Sequence, residues 1–561
     1  MPKPADLVKL TGLASRFGAF VAERHPFALG DALDAFEKAT GGRDPRTEKA
    51  IDAVRPALQR ELKKRLAARS LPHGVPETTP RTSAGMRIEQ AVAELVESAD
   101  GFLRREAIAA SLTDDERREI LRGMVLTRAT DNRLKTFFTS GEIKYGATSF
   151  QGKGFRSLGQ EAIYAAAIRL RRGSKYRVAA GAGQRPAWTG DVIGPVIRDL
   201  GVTLAMRPEP DAVRMVLNAQ MGKIGAPLEG KDLHIGDFAN GILPPAAPLT
   251  TATLTIAGMA MAFRREGSGR VAVSFIGEGG SSLGEWHEAI NLCAARKLPA
   301  IFCVENNQTA LSTPLSDQSA VRVFADKAAG YGVPGLTVDG TDPEQIAAAF
   351  TWAAERARAG LGPTLIETVC MRMCGHAHHD DMLYLGKDPA VSWDYAPLTE
   401  QGYADRVLYE YWAARDPIAL YAARLQAEKI IAPGDLDRLK AAAEAMVETQ
   451  ARAVIDAPWP DPAQAGVGVF ANEPPRVHVE VLEPSVRLNA DTTSAGSVDS
   501  RTTSPGSAVT TSVVSGFSRT VDPAPPFDPK GRTFLEAVML GVGDALRADP
   551  RVFVYGEDVG G

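Results

Sequence analysis

Residues 271–307 read VAVSFIGEGGSSLGEWHEAINLCAARKLPAIFCVENN, and this stretch constrains the fold more than any other. An apolar run of strand length enters a glycine cluster that carries one acid, Glu278. A segment of helix length follows, and a second apolar run stops at Glu305-Asn306-Asn307. Strand, helix and strand in this order read as one βαβ unit, with the helix as the crossover between parallel strands. Further β-branched runs at 335–340 (GLTVDG) and 363–371 (PTLIETVCM) alternate with helical segments from residue 112 onward. The expected fold class is therefore α/β, a mainly parallel sheet flanked by helices.

The rest of the chain divides around this α/β part. Residues 1–110 are polar and helical in pattern, a helical N-terminal extension with a break at PHGVPETTPRTSAG, 72–85. Thr113-Asp114-Asp115 then marks a helix N-terminus, and the α/β domain is expected over 111–456. Inside it AAPLTTATLTIAGMAMAF, 246–263, is free of charge and just long enough to span a bilayer. Its four threonines and many alanines keep its hydropathy low, so it is predicted as a buried helix and not a membrane span. Residues 457–530 turn rich in Pro, Ser, Thr and Gly and are predicted as a linker. Residues 531–561 hold one amphipathic helix and one strand, VFVYG, too little for a domain of their own.

Composition narrows the function classes. With 561 residues, 44% hydrophobic and 24% charged, the chain suits a globular protein of more than one unit. A formal net charge of −4 supplies no electrostatic reason for a nucleic acid or an anionic membrane as partner. Four cysteines are too few for a disulfide framework, and Arg16 interrupts the only candidate signal segment, so a cytoplasmic location is expected.

Ligands of open parallel sheets sit beyond the carboxyl ends of the strands. There Glu278 offers a carboxylate and Asn307 an amide oxygen, while Gly277, Gly279 and Gly280 let the backbone approach an anion. A helix starting near Leu283 adds a favourable dipole for phosphate. These are the ingredients of Mg2+ shared between protein oxygens and substrate phosphates. The glycines are not followed by Gly-Lys-Ser/Thr, and the third glycine of a dinucleotide fingerprint is missing. A tight turn with a solvated acid is the plainer alternative for Glu278. The run Cys370-x-x-x-Cys374-x-His376-x-His378-His379-Asp380 offers a second one, a Zn2+ site.

An acid between glycines followed some thirty residues later by Asn-Asn resembles the thiamine-diphosphate motif. Over residues 112–456 the chain resembles the alpha subunit of the decarboxylating component of 2-oxoacid dehydrogenase complexes. GFRSLGQEA (154–162), GEWHEAIN (284–291), NNQTALSTPLSDQ (306–318) and MRMCGHAHHDD (371–381) fall in that family's order. The resemblance implies thiamine diphosphate and Mg2+ as cofactors, with Glu278, Asn307 and the Thr309 carbonyl on the metal. It implies Arg198 and Arg372 on the diphosphate, His376 beside diphosphate and substrate, and the Leu249 backbone against the aminopyrimidine. Glu285 and Glu288 match acids of a proton path between paired sites. Residues 532–560 resemble the opening of the beta subunit, where Glu557 matches an acid near the cofactor. Ile197 replaces the family's usual aromatic, Ala377 stands at the phosphorylatable serine of regulated relatives, and Ala246 and Ala252 replace polar potassium ligands.

The function so implied is oxidative decarboxylation of a 2-oxo acid, with acyl transfer to the lipoyl group of an acyltransferase partner. Glu278, in place of the commoner aspartate, favours a branched-chain 2-oxo acid; a pyruvate or acetoin dehydrogenase component is the alternative. A homo- or hetero-oligomer with a beta subunit or beta domain is expected, and little turnover without one. The contrasting reading is a non-catalytic metal-binding scaffold that lacks its beta half.

Overall fold

Five parallel strands build one sheet in the computed structural model, which describes residues 12–67, 73–74, 80–178, 187–465, 467 and 534–548. They are β1 (Val192–Gly194), β2 (Ala272–Gly277), β3 (Ala300–Asn306), β4 (Gly335–Asp339) and β5 (Thr364–Val369). The spatial order is β4-β5-β3-β2-β1. Four of them fall on the apolar runs of the sequence. The fifth, β1, has three residues between Asp191 and Pro195, too few to show a pattern.

Two helical layers cover the sheet, which is why β2 and β3 read as apolar throughout. Successive side chains of a strand point to opposite faces. Val273, Phe275, Ile301 and Cys303 join the core on one face, against α2 (Asp114–Ser140), α5 (Pro343–Arg358) and α6 (Asp435–Asp456). Ala272, Ile276, Ala300, Phe302 and Val304 join the other, against α3 (Thr251–Glu266) and α4 (Gly284–Ala295). Each large apolar side chain buried in these layers contributes about 1.5–3 kcal/mol.

Local chemistry sets the helix ends. Thr113 caps α2 by accepting from the Glu116 N–H, and the Glu116 carboxylate returns to the Thr113 N–H at 2.9 Å. By contrast, 246–263 does not form the interior helix expected of it. Only one face of α3 is buried, through Ala252, Thr253, Ile256, Ala257, Ala260 and Phe263, while Leu254 and Met261 are 37% and 40% exposed. It belongs to an outer layer, and small residues rather than burial all round account for its lack of charge. Among the described residues no helix is long and apolar enough to cross a membrane.

The chain falls into two units, Met1–Pro462 and Ala463–Gly561. In the first, the N-terminal helices Leu13–Arg24, Leu29–Thr40 and Glu48–Leu66 pack with α1 (Ala84–Ala110) around Phe17, Phe36, Leu58 and Leu103. Helix α1 then seals onto α5: Arg104 forks onto Glu355 at 2.8 and 3.1 Å, and a Cβ on Gly101 would lie 2.9 Å from the Trp352 ring. The first unit also reaches past Asp456, since Trp459 packs 4.9 Å from Phe150 and donates to the Lys144 carbonyl. In the second unit the described helix is α7 (Phe534–Ala548). The VFVYG run, Glu557 and residues 468–530 lie outside the described residues.

Candidate active site

The register brings the strand ends together. Gly277 pairs with Glu305, and Val369 pairs with Asn306, so Glu278, Asn307 and the chain leading to Arg372 leave one edge of the sheet. Four residues past the end of β1 comes Arg198.

Glu278 is buried, and one of its carboxylate oxygens accepts the Asn307 backbone N–H at 3.2 Å. Burial holds its carboxyl above the usual range despite that bond and a long one from Gln318. Asn307 donates its side-chain N–H to Gln160 at 3.0 Å, and its Oδ1 is buried with no partner. An unpartnered buried oxygen costs about 1–3 kcal/mol. A hard cation between this oxygen and the Glu278 carboxylate would relieve both penalties, so the donor set fits Mg2+. The Thr309 carbonyl accepts from Arg372 at 3.2 Å, which leaves a second lone pair for a metal.

Next to this pair lies a cluster of basic side chains whose hydrogen bonds reach no carboxylate. Arg198 donates to the carbonyls of Arg156 and His376, both at 2.7 Å, and approaches His376 Nδ1 at 3.3 Å. Burial and the neighbouring Arg372 push its pKa down. Arg372 donates to the carbonyls of Cys374, Thr309 and Leu311, and so ties the hairpin Thr309–Pro314 to the site. The His376 pKa is pushed down to about 3 by burial, then by Arg198, Arg372 and Lys153. Two buried guanidiniums, Lys153 and a histidine, none of them paired with an acid in their hydrogen bonds, form a receptor for a multiply charged anion. A diphosphate fits that charge.

Burial and then the arginines keep His376 neutral, and His378 is pushed down to about 4 by burial, then by His379 and Lys135. The three glycines differ in their surroundings. A Cβ at Gly277 would meet open space, consistent with room for a ligand. At Gly279 it would lie 2.6 Å from the Ala310 Cβ, and at Gly280 2.8 Å from Ile276, so those two serve packing. Leu249, 45% exposed, has its side chain beside Gly280. Glu285 and Glu288 are exposed on α4, with Glu285 accepting from Thr250 at 3.2 Å. Cys370 and Cys374 are buried, their thiols pushed up by burial. Among the described residues no group of three His, Cys, Asp or Glu is placed to hold a metal ion, so the Cys/His run does not assemble a zinc site.

Sequence reasoning missed the support behind the site. Gln160 donates to Glu305 at 2.6 Å, and a second buried acid, Asp199, next to Arg198, neighbours Glu305. Burial raises both acids, and the neighbouring Asp199 raises Glu305 further. The Gly-Gln-Glu motif pointed at Gln160, but its partners lie 145 residues away.

The chain matches the family described as dehydrogenase E1 component over residues 173–463, more than half its length. It belongs to that family. It is 36% identical over 273 residues to the 2-oxoisovalerate dehydrogenase subunit alpha of Bacillus subtilis, covering 49% of this chain and 76% of that one. The 3-methyl-2-oxobutanoate dehydrogenase subunit alpha of Mycobacterium tuberculosis is 36% identical, over 42% of this chain and 60% of its own. The pyruvate dehydrogenase E1 component subunit alpha of Bacillus subtilis is 30% identical, over 58% and 74%. Membership in the E1 family makes the chain an alpha-type component of a thiamine-diphosphate-dependent 2-oxoacid dehydrogenase.

Proposed function

We propose that the edge formed by Glu278, Asn307, Arg198 and His376 holds thiamine diphosphate through Mg2+ and serves the decarboxylation of a 2-oxo acid. One observation carries this reading. A partnerless buried amide oxygen and a buried acid lie beside two guanidiniums whose hydrogen bonds reach no carboxylate. Glu278, Asn307 and the Thr309 carbonyl would hold the cation; Arg198 would bind the diphosphate, with Arg372 stiffening the hairpin below it. When bound, thiamine diphosphate supplies a nucleophilic carbon and an electron sink for the loss of carbon dioxide.

The residues do the positioning and proton handling. His376 Nδ1 faces the Arg198 N–H, so the neutral ring carries its proton on Nε2, free to donate to substrate. Glu285 and Glu288 are offered to a partner as proton carriers. A branched-chain 2-oxo acid is favoured, in line with the names of two of the relatives; pyruvate and acetoin are the competing substrates. The acyl group would pass to the lipoyl arm of an acyltransferase, and a beta subunit or domain would complete the site.

Titration calorimetry of the chain with thiamine diphosphate, with and without Mg2+, tests the site. Mg2+-dependent binding that Glu278→Ala abolishes is expected; binding indifferent to Mg2+ would overturn the reading. Decarboxylation of branched 2-oxo acids and of pyruvate, and consumption of acetoin, assayed with a beta component present, then rank the substrates.

A further inference from the structure

An amide presents an oxygen on one side and N–H groups on the other, so a cation site built on asparagine works only if the amide is held the right way round. Nothing in Asn307 itself decides this. Its side chain meets Gln160, another amide with the same ambiguity. The ambiguity ends at Glu305, buried and 2.6 Å from Gln160 Nε2. That oxygen accepts, so Gln160 turns its N–H toward Glu305 and its oxygen toward Asn307. Asn307 must then donate to Gln160 at 3.0 Å and leave Oδ1 facing away, buried and without a partner. Asp199, a buried acid neighbouring Glu305, accepts the Val196 N–H at 2.6 Å and so holds the turn that carries Arg198.

We propose that Gln160 is a positioning residue which, anchored by Glu305, fixes the polarity of Asn307 and presents its oxygen to the divalent cation. The inference rests on the reading that Glu278 and Asn307 hold that cation. It assigns to the Gly-Gln-Glu motif a role in metal affinity without contact to the metal. Gln160 acts through its two hydrogen bonds, so a side chain of equal size that lacks them leaves the pocket filled but the amide free to rotate. Gln160→Glu still accepts from Asn307 but sets two carboxyls against each other. Adding Glu305→Gln to it restores a donor opposite the introduced carboxylate.

The test is titration of the full chain with Mn2+ in the presence of thiamine diphosphate, read by electron paramagnetic resonance, with folding followed by circular dichroism. Gln160→Met is expected to weaken Mn2+ binding by about tenfold, a loss of the order seen for supporting partners of metal ligands. Gln160→Glu is expected to weaken it too, and the double variant, Gln160→Glu with Glu305→Gln, to recover it. Folded Gln160→Met with wild-type affinity, or a double variant no better than Gln160→Glu, would overturn the inference while leaving the cation site intact. Mn2+ binding that is absent in the wild type, or unchanged in Glu278→Ala, would overturn the cation reading and the inference with it.

Discussion

Arg198 donates from Nη2 to the carbonyl oxygen of His376 at 2.7 Å, across 178 residues of sequence. The contact places a permanent positive charge against the ring that is to handle a proton. Burial comes first and the arginines second in holding His376 at a pKa of about 3. A bound diphosphate would neutralise Arg198 and Arg372 and raise that value. The expected outcome in an NMR titration is a His376 resonance that titrates near pH 3 in the free chain and at higher pH with thiamine diphosphate and Mg2+. No upward shift on binding would remove Arg198 from the diphosphate site. In the free chain the depressed value stabilises the fold fully above about pH 6.5, and that contribution is lost as pH falls toward the folded value.

Arg198→Lys separates charge from shape. Lysine keeps the positive charge but cannot reach two carbonyls and an anion with one planar fork. The expected effect is an affinity for thiamine diphosphate weakened by about tenfold or more, with the fold intact, measured by calorimetry. Equal affinity would make Arg198 only a local charge.

The sequence carried the sheet and the two strand ends because those signals are local. β2 and β3 are runs of apolar residues, and Glu278 and Asn307 stand where such runs stop. The Thr113 cap was equally legible, being a four-residue pattern. The helix α3 was misjudged because lack of charge does not distinguish an interior helix from one with a bare small-residue face. Gln160, Glu305 and Asp199 could not be assembled, since their meeting depends on the order of strands in space. For the same reason Arg372 gave no sign that its N–H groups serve three carbonyls.

Glu278 makes a prediction about stability as well as binding. Burial raises its carboxyl pKa, so the folded chain without metal keeps the proton longer than the unfolded chain does. Stability therefore falls as pH rises past the ordinary glutamate value near 4.5. Glu278→Gln is expected to melt at or above the wild-type temperature at about pH 8 without ligands. Saturating Mg2+ and thiamine diphosphate should reverse the order, because at a hundredfold excess over Kd binding adds about 2.7 kcal/mol to the wild type alone. Thermal melts in both conditions check it; a variant stabilised as much as the wild type by the ligands would exclude Glu278 from the metal.

Arg128 and Glu161 form a buried pair at 2.7 Å, with side chains 2% and 0% exposed. Arg128 also reaches Tyr395 at 2.9 Å, and Glu161 accepts the Gly159 N–H at 3.1 Å. The pair thus fixes the turn that carries Gln160. Arg128 is also paired with Asp416, so it is removal of Arg128 that strands a charge, the Glu161 carboxylate, away from water. Arg128→Ala is expected to lower unfolding free energy by about 3–5 kcal/mol. Urea denaturation measures it, and a loss below about 1 kcal/mol, the range of an exposed pair, would contradict the burial.

Gly123→Ala sets helix propensity against packing. Alanine in the middle of α2 would favour the helix by about 1 kcal/mol over glycine. Yet its Cβ would lie 2.2 Å from Tyr164, a buried ring in the segment that follows Gln160 and Glu161. Overpacking of a filled core costs about 1–3 kcal/mol and displaces the obstructing group, so packing should win. A lowered melting temperature is expected, together with weaker Mn2+ binding as the shifted Tyr164 segment pulls Gln160 away from Asn307. A variant more stable than the wild type would mean that Tyr164 yields freely, and that α2 does not hold the Gln160 segment in place.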